Sequence, residues 1–233
     1  MAFLSGLGRR ERIPELMDDP GLDPAEHRRA LAALARINRV SNSAGVLWPA
    51  VRNLARQLGR PLRLLDVATG SGDVPAALLA KAEAARVPLE VAGCDLSPVA
   101  IAEAARRPGG GHFFVHDALH TRLPADFDVV TCSLFLHHLD EHDAVALLAN
   151  MENAARHLVL VNDLARSRLN YLRVWLACRL LTRSRVVRFD GPASVRSAFT
   201  PDEALVLAER AGLFGATVRT HFPCRFLLTW RRP

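Results

Sequence analysis

The sequence predicts an α/β protein, a parallel β-sheet covered by helices on both faces. Three observations carry this. Short apolar runs alternate with helical patterns through the middle of the chain, as parallel strands joined by crossover helices do. The runs end at polar residues, among them Asp66, Asp95, Asp117, Ser133 and Asn162-Asp163. The first run also leads into Asp66-Val67-Ala68-Thr69-Gly70-Ser71-Gly72-Asp73-Val74-Pro75, a glycine turn that opens a helix. Right-handed crossovers put ligand chemistry at the carboxyl ends of such strands.

Taken in order, residues 1–22 are mixed, with Pro14, Pro20 and Gly21 as breakers. Asp23-Pro24 reads as an N-cap followed by proline at the first helical position. Ala30, Leu31, Leu34 and Ile37 then follow helical spacing, which predicts a helix over 24–38. A second helix starts near Ser43, with Val46, Leu47, Ala50, Val51, Leu54 and Leu58 on one side and Gly59 as its C-cap. Arg63 to Val67 is the first strand and Val74 to Ala85 the helix after the turn. Leu89 to Cys94 is a strand ending at Asp95. Ser97-Pro98 caps a helix to Arg106, and Gly109-Gly110-Gly111 links it to a short strand, His112 to His116. Phe127 to Leu134 is a strand, Glu141 to Arg156 a helix, and Leu158 to Asn162 a strand. The alternation breaks over 164–199. Helix resumes from Pro201 to Ala211, capped by Thr200 and closed by Gly212. Strands at about 214–220 and 224–230 finish the chain as a hairpin.

The 233 residues are half hydrophobic, enough for one domain with a full core. No apolar run approaches the ~18 residues needed to span a bilayer. Met1 to Gly8 is too short for a secretory signal and acids follow at Glu11 and Asp18-Asp19, so a cytoplasmic location is expected. The four cysteines, Cys94, Cys132, Cys178 and Cys224, have no knuckle or redox spacing and read as reduced thiols. The formal charge of +6 is almost wholly arginine, since Lys81 is the single lysine. A basic balance alone is weak evidence for a nucleic-acid surface.

Two ligand types compete for the glycine turn. A dinucleotide site places a third glycine after two further residues and leaves the helix N-terminus open to pyrophosphate. Here Pro75 takes that position, and Asp73 puts a carboxylate where the phosphates would lie. A cationic ligand without phosphate reverses that preference. Asp95, ending the next strand, suits the ribose hydroxyls of either ligand. Asp117-Ala118 stands where an adenine amino group could be held.

At this point the sequence resembles the class I S-adenosylmethionine-dependent methyltransferases, of the small-molecule type found in quinone and polyketide biosynthesis. The resemblance rests on Leu65 to Asp73, Gly93-Cys94-Asp95-Leu96-Ser97, His116-Asp117-Ala118, and Asp128-Val129-Val130 through Leu136-His137-His138-Leu139. It covers roughly residues 60–160, and the closing hairpin fits the family's last two strands. It implies a Rossmann-like, seven-stranded, mostly parallel sheet in order 3-2-1-4-5-7-6 with strand 7 antiparallel. N-terminal helices form a lid (1–60), and a helical cap (164–199) is inserted between strand 5 and the next helix, all within a single domain, 1–233. It implies S-adenosylmethionine as the methyl donor. Asp66, Ala68, Gly70 and Gly72 would line its methionine portion. Asp95 and Leu96 would hold ribose and adenine, Asp117 and Ala118 would contact adenine, and Ser133 and Leu134 would lie near strand four. Arg36-Ile37-Asn38 to Trp48 is similar to the region that folds over the cofactor in quinone-biosynthesis C-methyltransferases. The family's Pro-Gly-Gly loop before strand five is replaced by Ala155-Arg156-His157.

The acceptor side is less determined. Methyl transfer to a phenol or carbon acid needs positioning and often a base, and His137 and His138 are the candidates. Their alternative role is to line the substrate or orient loops. No metal is expected, because Asp140 and His142 lie in the same local stretch as the histidine pair, with no distant ligand. Asn162-Asp163 reads as turn chemistry. In the cap, Tyr171, Trp175 and Leu176 could cover an apolar substrate. Arg166, Arg168, Arg173, Arg179, Arg183, Arg185 and Arg188 could form a solvated face, meet an anionic substrate or a thioester carrier protein, or lie on a membrane surface. The expected activity is methylation of a small aromatic, polyketide-like or quinone-like metabolite of secondary metabolism, O-methylation favoured over C-methylation. A tRNA or rRNA methyltransferase and a non-catalytic methyltransferase-like binding protein are the alternatives. Nucleic acid is the weaker partner, since no RNA-binding module is appended.

Overall fold

The apolar runs become one seven-stranded sheet in the computed structural model, which describes residues 7–19, 21–23, 25–26, 29–30, 33, 42–107 and 109–233. The strands are β1 (Leu62–Val67), β2 (Leu89–Asp95), β3 (His112–Val115), β4 (Phe127–Ser133), β5 (Ala155–Leu164), β6 (Thr217–His221) and β7 (Arg225–Arg231). Their order is β3-β2-β1-β4-β5-β7-β6, as expected. β7 alone runs against its neighbours, pairing antiparallel with both β5 and β6. The helices are α1 (Ser43–Leu58), α2 (Asp73–Ala84), α3 (Pro98–Ala104), α4 (Glu141–Ala154), α5 (Arg168–Leu181), α6 (Arg185–Ser197) and α7 (Pro201–Arg210).

The period-two geometry of the strands divides the core into two layers. Leu64, Val129, Leu158 and Leu160 face one side, where Leu47, Val51 and Leu54 of α1 and Leu78 of α2 cover them. Leu65, Val130, Val159 and Val161 face the other, under Leu147, Leu148 and Met151 of α4 and Leu207 of α7. Each such fully buried leucine contributes roughly 1.5–3 kcal/mol of transfer free energy. Burial on both faces is why the middles of the central strands are apolar, as in Leu64-Leu65, Val129-Val130 and Leu158 to Val161. All the polar strand ends therefore emerge along one edge of the sheet.

Local signals fix most helix ends. Asn42 caps α1 through its side chain, which accepts from Gly45 N–H, and Gly59 closes the helix in the left-handed region. Thr200 and Glu203 form a reciprocal capping box at the start of α7. Two expectations change. β5 begins at Ala155, three residues early, because Ala155 leaves the helical region and pairs with Phe127. The Ala155-Arg156-His157 stretch is therefore strand, not a loop. The predicted helix 24–38 lies largely outside the described residues, although Ala25, Glu26, Arg29, Ala30 and Ala33 are helical. The Arg36-Ile37-Asn38 resemblance lies outside them too.

The break over 164–199 is the helix pair α5 and α6, packed on each other above the sheet edge. Buried Arg166 anchors it: Nη1 donates to the Ala198 carbonyl (2.8 Å), and both Nη atoms reach the Glu203 carboxylate (2.8 and 2.6 Å). An N-terminal strap crosses below the cap. Arg10 donates to the carbonyls of Ser197, His137 and Leu139, and the amides of Leu16 and Met17 donate to the Asp190 carboxylate. No helix among the described residues is long and apolar enough to cross a membrane.

Candidate active site

β1 ends by placing Asp66 beneath the glycine turn. Its carboxylate is 2% exposed and accepts from Thr131 Oγ1 (2.6 Å) and Thr69 Oγ1 (2.8 Å). Burial pushes its pKa up to about 6, the two threonine hydrogen bonds opposing the rise. The turn then coils through the left-handed region at Ala68 (φ 53°), Gly70 (φ 55°) and Gly72 (φ 76°). Such a conformation suits the glycines and strains the alanine. Leu134, at the end of β4, is strained in the same way (φ 57°) and faces the same space. Gly70 N–H donates to Asp95 Oδ2 (2.9 Å), tying the turn to the end of β2. A Cβ on Gly72 would meet Ala104 Cβ at 3.0 Å, so this glycine lets the turn sit against α3.

Asp73 changes meaning in the structure. Arg107 forms an ion pair with it and also donates to the Ser71 carbonyl. Its charge is thus compensated, and it argues less against a phosphate ligand than its place at the helix start implies. Pro75 sits in the first turn of α2, as expected. The carboxylate that faces the cavity without a cation beside it is Asp66.

The loop after β4 carries His137 and His138. His137 is 3% exposed, with Nδ1 2.6 Å from Asp163 Oδ1 and Nε2 3.6 Å from Glu15 Oε1. Burial alone would lower its pKa, but the charges and hydrogen bonds of Asp163 and Glu15 outweigh that and raise it to about 10. Asp163 is held below the carboxylate range by the same contact, against its own burial. The two carboxylates thus favour the imidazolium form of His137 at neutral pH, which makes it a poor proton acceptor. Glu15, Ser194 and the strap place a carboxylate here from 122 positions away (137 − 15), the distant ligand that sequence reasoning did not see. Glu15, His137 and His138 bring ligand-type atoms within 4.8 Å of one another. The His138 ring lies tilted against His137 (ring centroids 4.3 Å apart) and stacks on Phe135 (6.0 Å). Asn162 and Asp163 lie inside β5, with Asn162 paired to Ser133, rather than in a turn.

These groups meet in one cavity of about 370 Å³. Asp66, Ala68, Gly70, Ser133, Leu134, His137 and His138 line it. The cap closes the other side with Val174, Ala177, Cys178, Leu181 and Val187, and β7 adds Arg225. Arg225 is 4% exposed; burial lowers its pKa to about 10, with Asp163 pulling the other way, so it stays cationic. Gly72, Asp95, Leu96, Asp117 and Ala118 lie outside the cavity wall. Asp95 adjoins it through Gly70, while Leu96 is 68% exposed at the end of β2. Asp117 accepts from the amides of Leu119 and His120 and pairs with the His120 ring, so its carboxylate already organises its own turn.

Residues 64–157, which hold the glycine turn, all three acidic strand ends and the histidine pair, match the family model described as a methyltransferase domain. This segment is a methyltransferase domain. Solved structures share its fold. A candidate O-methyltransferase from Nostoc punctiforme has 19% identity and a TM-score of 0.59 over 87% of this chain and 60% of that one. The plantazolicin methyltransferase BamL, in complex with a triazolic desmethylPZN analogue and SAH, has 15% identity and a TM-score of 0.63 over 86% and 89% of the two chains. Magnesium protoporphyrin IX methyltransferase from Synechocystis, with bound SAH, has 16% identity and a TM-score of 0.55 over 93% and 91%. The chain thus spans 60% of the length of the Nostoc protein. No curated protein matches the sequence.

Sequence reasoning missed Glu15 and Arg225. Glu15 stands in a breaker-rich stretch with no periodicity, and Arg225 opens β7 just before its apolar run. Of the two, only Arg225 carried a readable signal, since a lone charge beside a buried apolar run demands a local reason.

Proposed function

We propose that this methyltransferase transfers a methyl group from S-adenosylmethionine to an oxygen of a small aromatic, polyketide-like or quinone-like acceptor. The observation that carries the reading is the cavity itself, which joins a carboxylate-bearing glycine turn to an apolar cap wall. The donor set fits this cofactor. Asp66 offers a buried carboxylate suited to an ammonium group, and Asp95 offers ribose hydroxyls an acceptor at the neighbouring strand end. Ala68, Gly70 and Gly72 shape the turn around the methionine portion. Leu96, Asp117 and Ala118 flank the adenine, and Ser133 and Leu134 the reacting end. When bound, the cofactor supplies an electrophilic methyl group on a cationic sulfonium.

The histidines then divide the work. His138 accepts the phenolic proton at a ring nitrogen, and His137, held between Asp163 and Glu15, positions the His138 ring against it. The cap wall holds the rings and excludes water. Arg225 adds a buried positive charge that suits an electron-rich oxygen at the far end. The N-terminal segment acts as a lid and the cap as an insertion within one domain.

The test is release of S-adenosylhomocysteine over a panel of hydroxynaphthoquinones and phenols, each beside its O-methyl ether. Turnover of the free phenol and none of the ether supports O-methylation. Turnover of the ether at a ring carbon would replace it with C-methylation. Methylation of tRNA or rRNA alone would overturn the small-molecule reading.

A further inference from the structure

The leucines on the outer face of α5 do not line the cavity, and the composition of this face is unusual. Leu169, Leu172, Leu176 and Leu180 are spaced by three, four and four, so they form one stripe along the helix. They are 56%, 53%, 49% and 74% exposed. Phe222, 84% exposed at the β6–β7 turn, extends the patch. Arg173 joins the two, with its guanidinium 5.7 Å from the Phe222 ring centroid and Nη1 donating to the Pro223 carbonyl (3.0 Å).

The charges around this stripe are of one sign. Arg168, Arg173 and Arg179 flank it, and Arg183, Arg185 and Arg188 follow at the turn into α6, all exposed. Among the described residues none of these six forms an ion pair with a carboxylate. The single acid in 164–199, Asp190, is buried. A solvated helix carries mixed charge, as α7 does with Asp202, Glu209 and Arg210. An apolar stripe with arginines on both sides and no exposed acid matches instead an interface between hydrocarbon and anionic headgroups. There leucines insert, and the arginine stems reach up to the phosphates.

We infer that the outer face of α5, with the Phe222 turn, docks on an anionic lipid bilayer. Arg173 and Leu181 are exposed and also line the cavity, so docking sets the cavity edge against the headgroup layer. An amphiphilic acceptor would then enter without crossing water. That last clause rests on the small-molecule reading above; the docking does not.

Sedimentation with vesicles tests it. The wild-type chain should bind vesicles of phosphatidylglycerol mixed with phosphatidylcholine, bind pure phosphatidylcholine weakly, and leave the anionic vesicles at high salt. The pairs Leu172→Ser/Leu176→Ser and Arg168→Glu/Arg179→Glu should each weaken binding by about tenfold or more, with unchanged circular dichroism. Failure to bind anionic vesicles, or binding that survives both double substitutions, overturns the proposal. So does capture by a small acidic carrier protein in place of vesicles. Calorimetry with S-adenosylhomocysteine on the same samples separates the two readings, because all four substituted residues lie away from the cavity. Loss of that binding in the wild type would remove the methyltransferase assignment and leave the docking result standing.

Discussion

The two walls of the cavity are built by different rules. The wall made by the ends of β1 and β4 is assembled from short windows, Asp66 to Val74 and Ser133 to His138, with Asp95 at the end of β2 tied to it through Gly70. The wall made by the cap and the strap is assembled from pairs of residues far apart in the chain. Arg10 meets Ser197 across 187 positions and Glu15 meets Ser194 across 179. A parallel sheet delivers consecutive strand ends to one edge whatever lies elsewhere, so a site there can be written locally. The opposite wall exists only once the chain has folded back on itself. His137 belongs to both, since its Nδ1 meets Asp163 of β5 and its Nε2 faces Glu15 of the strap.

The largest effect should come from cutting that junction. Asp163→Asn leaves a buried imidazolium with one distant carboxylate. Removing one partner of a buried pair costs about 3–5 kcal/mol, so chemical denaturation should show a loss of that order. The raised pKa of His137 gives stability that is full below about 6.5, its unfolded value, and fades as pH rises through about 10. The lowered pKa of Asp163 gives stability that is present above the unfolded carboxylate value and lost as pH falls below it. The wild type should thus lose stability at both ends, and Asp163→Asn should flatten both limbs. A variant as stable as the wild type would show that the two walls are not joined here.

The next test separates the histidines. His138→Ala should lower kcat by about 10²–10⁴ if it is the base, with donor affinity intact. His137→Gln should lower kcat less. In the wild type, kcat should show no rise from His137 between pH 6 and 8, because its proton is already in place. Full activity in His138→Ala would leave the acceptor wall as positioning only.

The contrast between the walls is also the measure of what the sequence discloses. The alternating pattern was enough for the sheet, and the resemblance supplied its order. The strand-end acids and the glycine turn were legible because their meaning depends on spacing of a few residues. Besides Glu15 and Arg225, three things were not. Asp73 looked like a free carboxylate because Arg107, its partner, is 34 positions on (107 − 73). Asn162-Asp163 looked like a turn because polar residues there are commoner in turns than inside a buried strand. The arginines of 164–199 looked alike, yet Arg166 is a buried anchor, Arg173 borders the cavity and Arg179 stacks on Trp175, its guanidinium 3.8 Å from the ring centroid.

On the local wall the effects should be smaller and separable. Asp95→Ala should weaken S-adenosylmethionine binding by about 1–3 kcal/mol, the range for a hydrogen bond to a charged group together with the group left unpaired. Calorimetry reads it directly. Some of the loss will come from Gly70, whose amide then lacks its acceptor. Asp95→Asn keeps an oxygen for that amide and should recover part of the affinity.

The smallest effect is also the sharpest probe of the electrostatic reading. Asp66 has a pKa of about 6 in the free protein because burial disfavours its charge. A cationic donor binds the ionised form better, so binding should draw the pKa down and release a proton. By linkage, affinity then rises with pH through about 6 and levels off above it. Between pH 5 and 7 the gain should be roughly tenfold, the amount that one pKa unit represents. Asp66→Asn removes the titrating group, so its affinity should be flat over that range, at or below the wild-type value at pH 5. An anionic ligand would produce the opposite slope in the wild type, tighter at low pH. Since Arg107 already neutralises Asp73, the direction of this slope is the observation that separates a sulfonium donor from a pyrophosphate at the glycine turn.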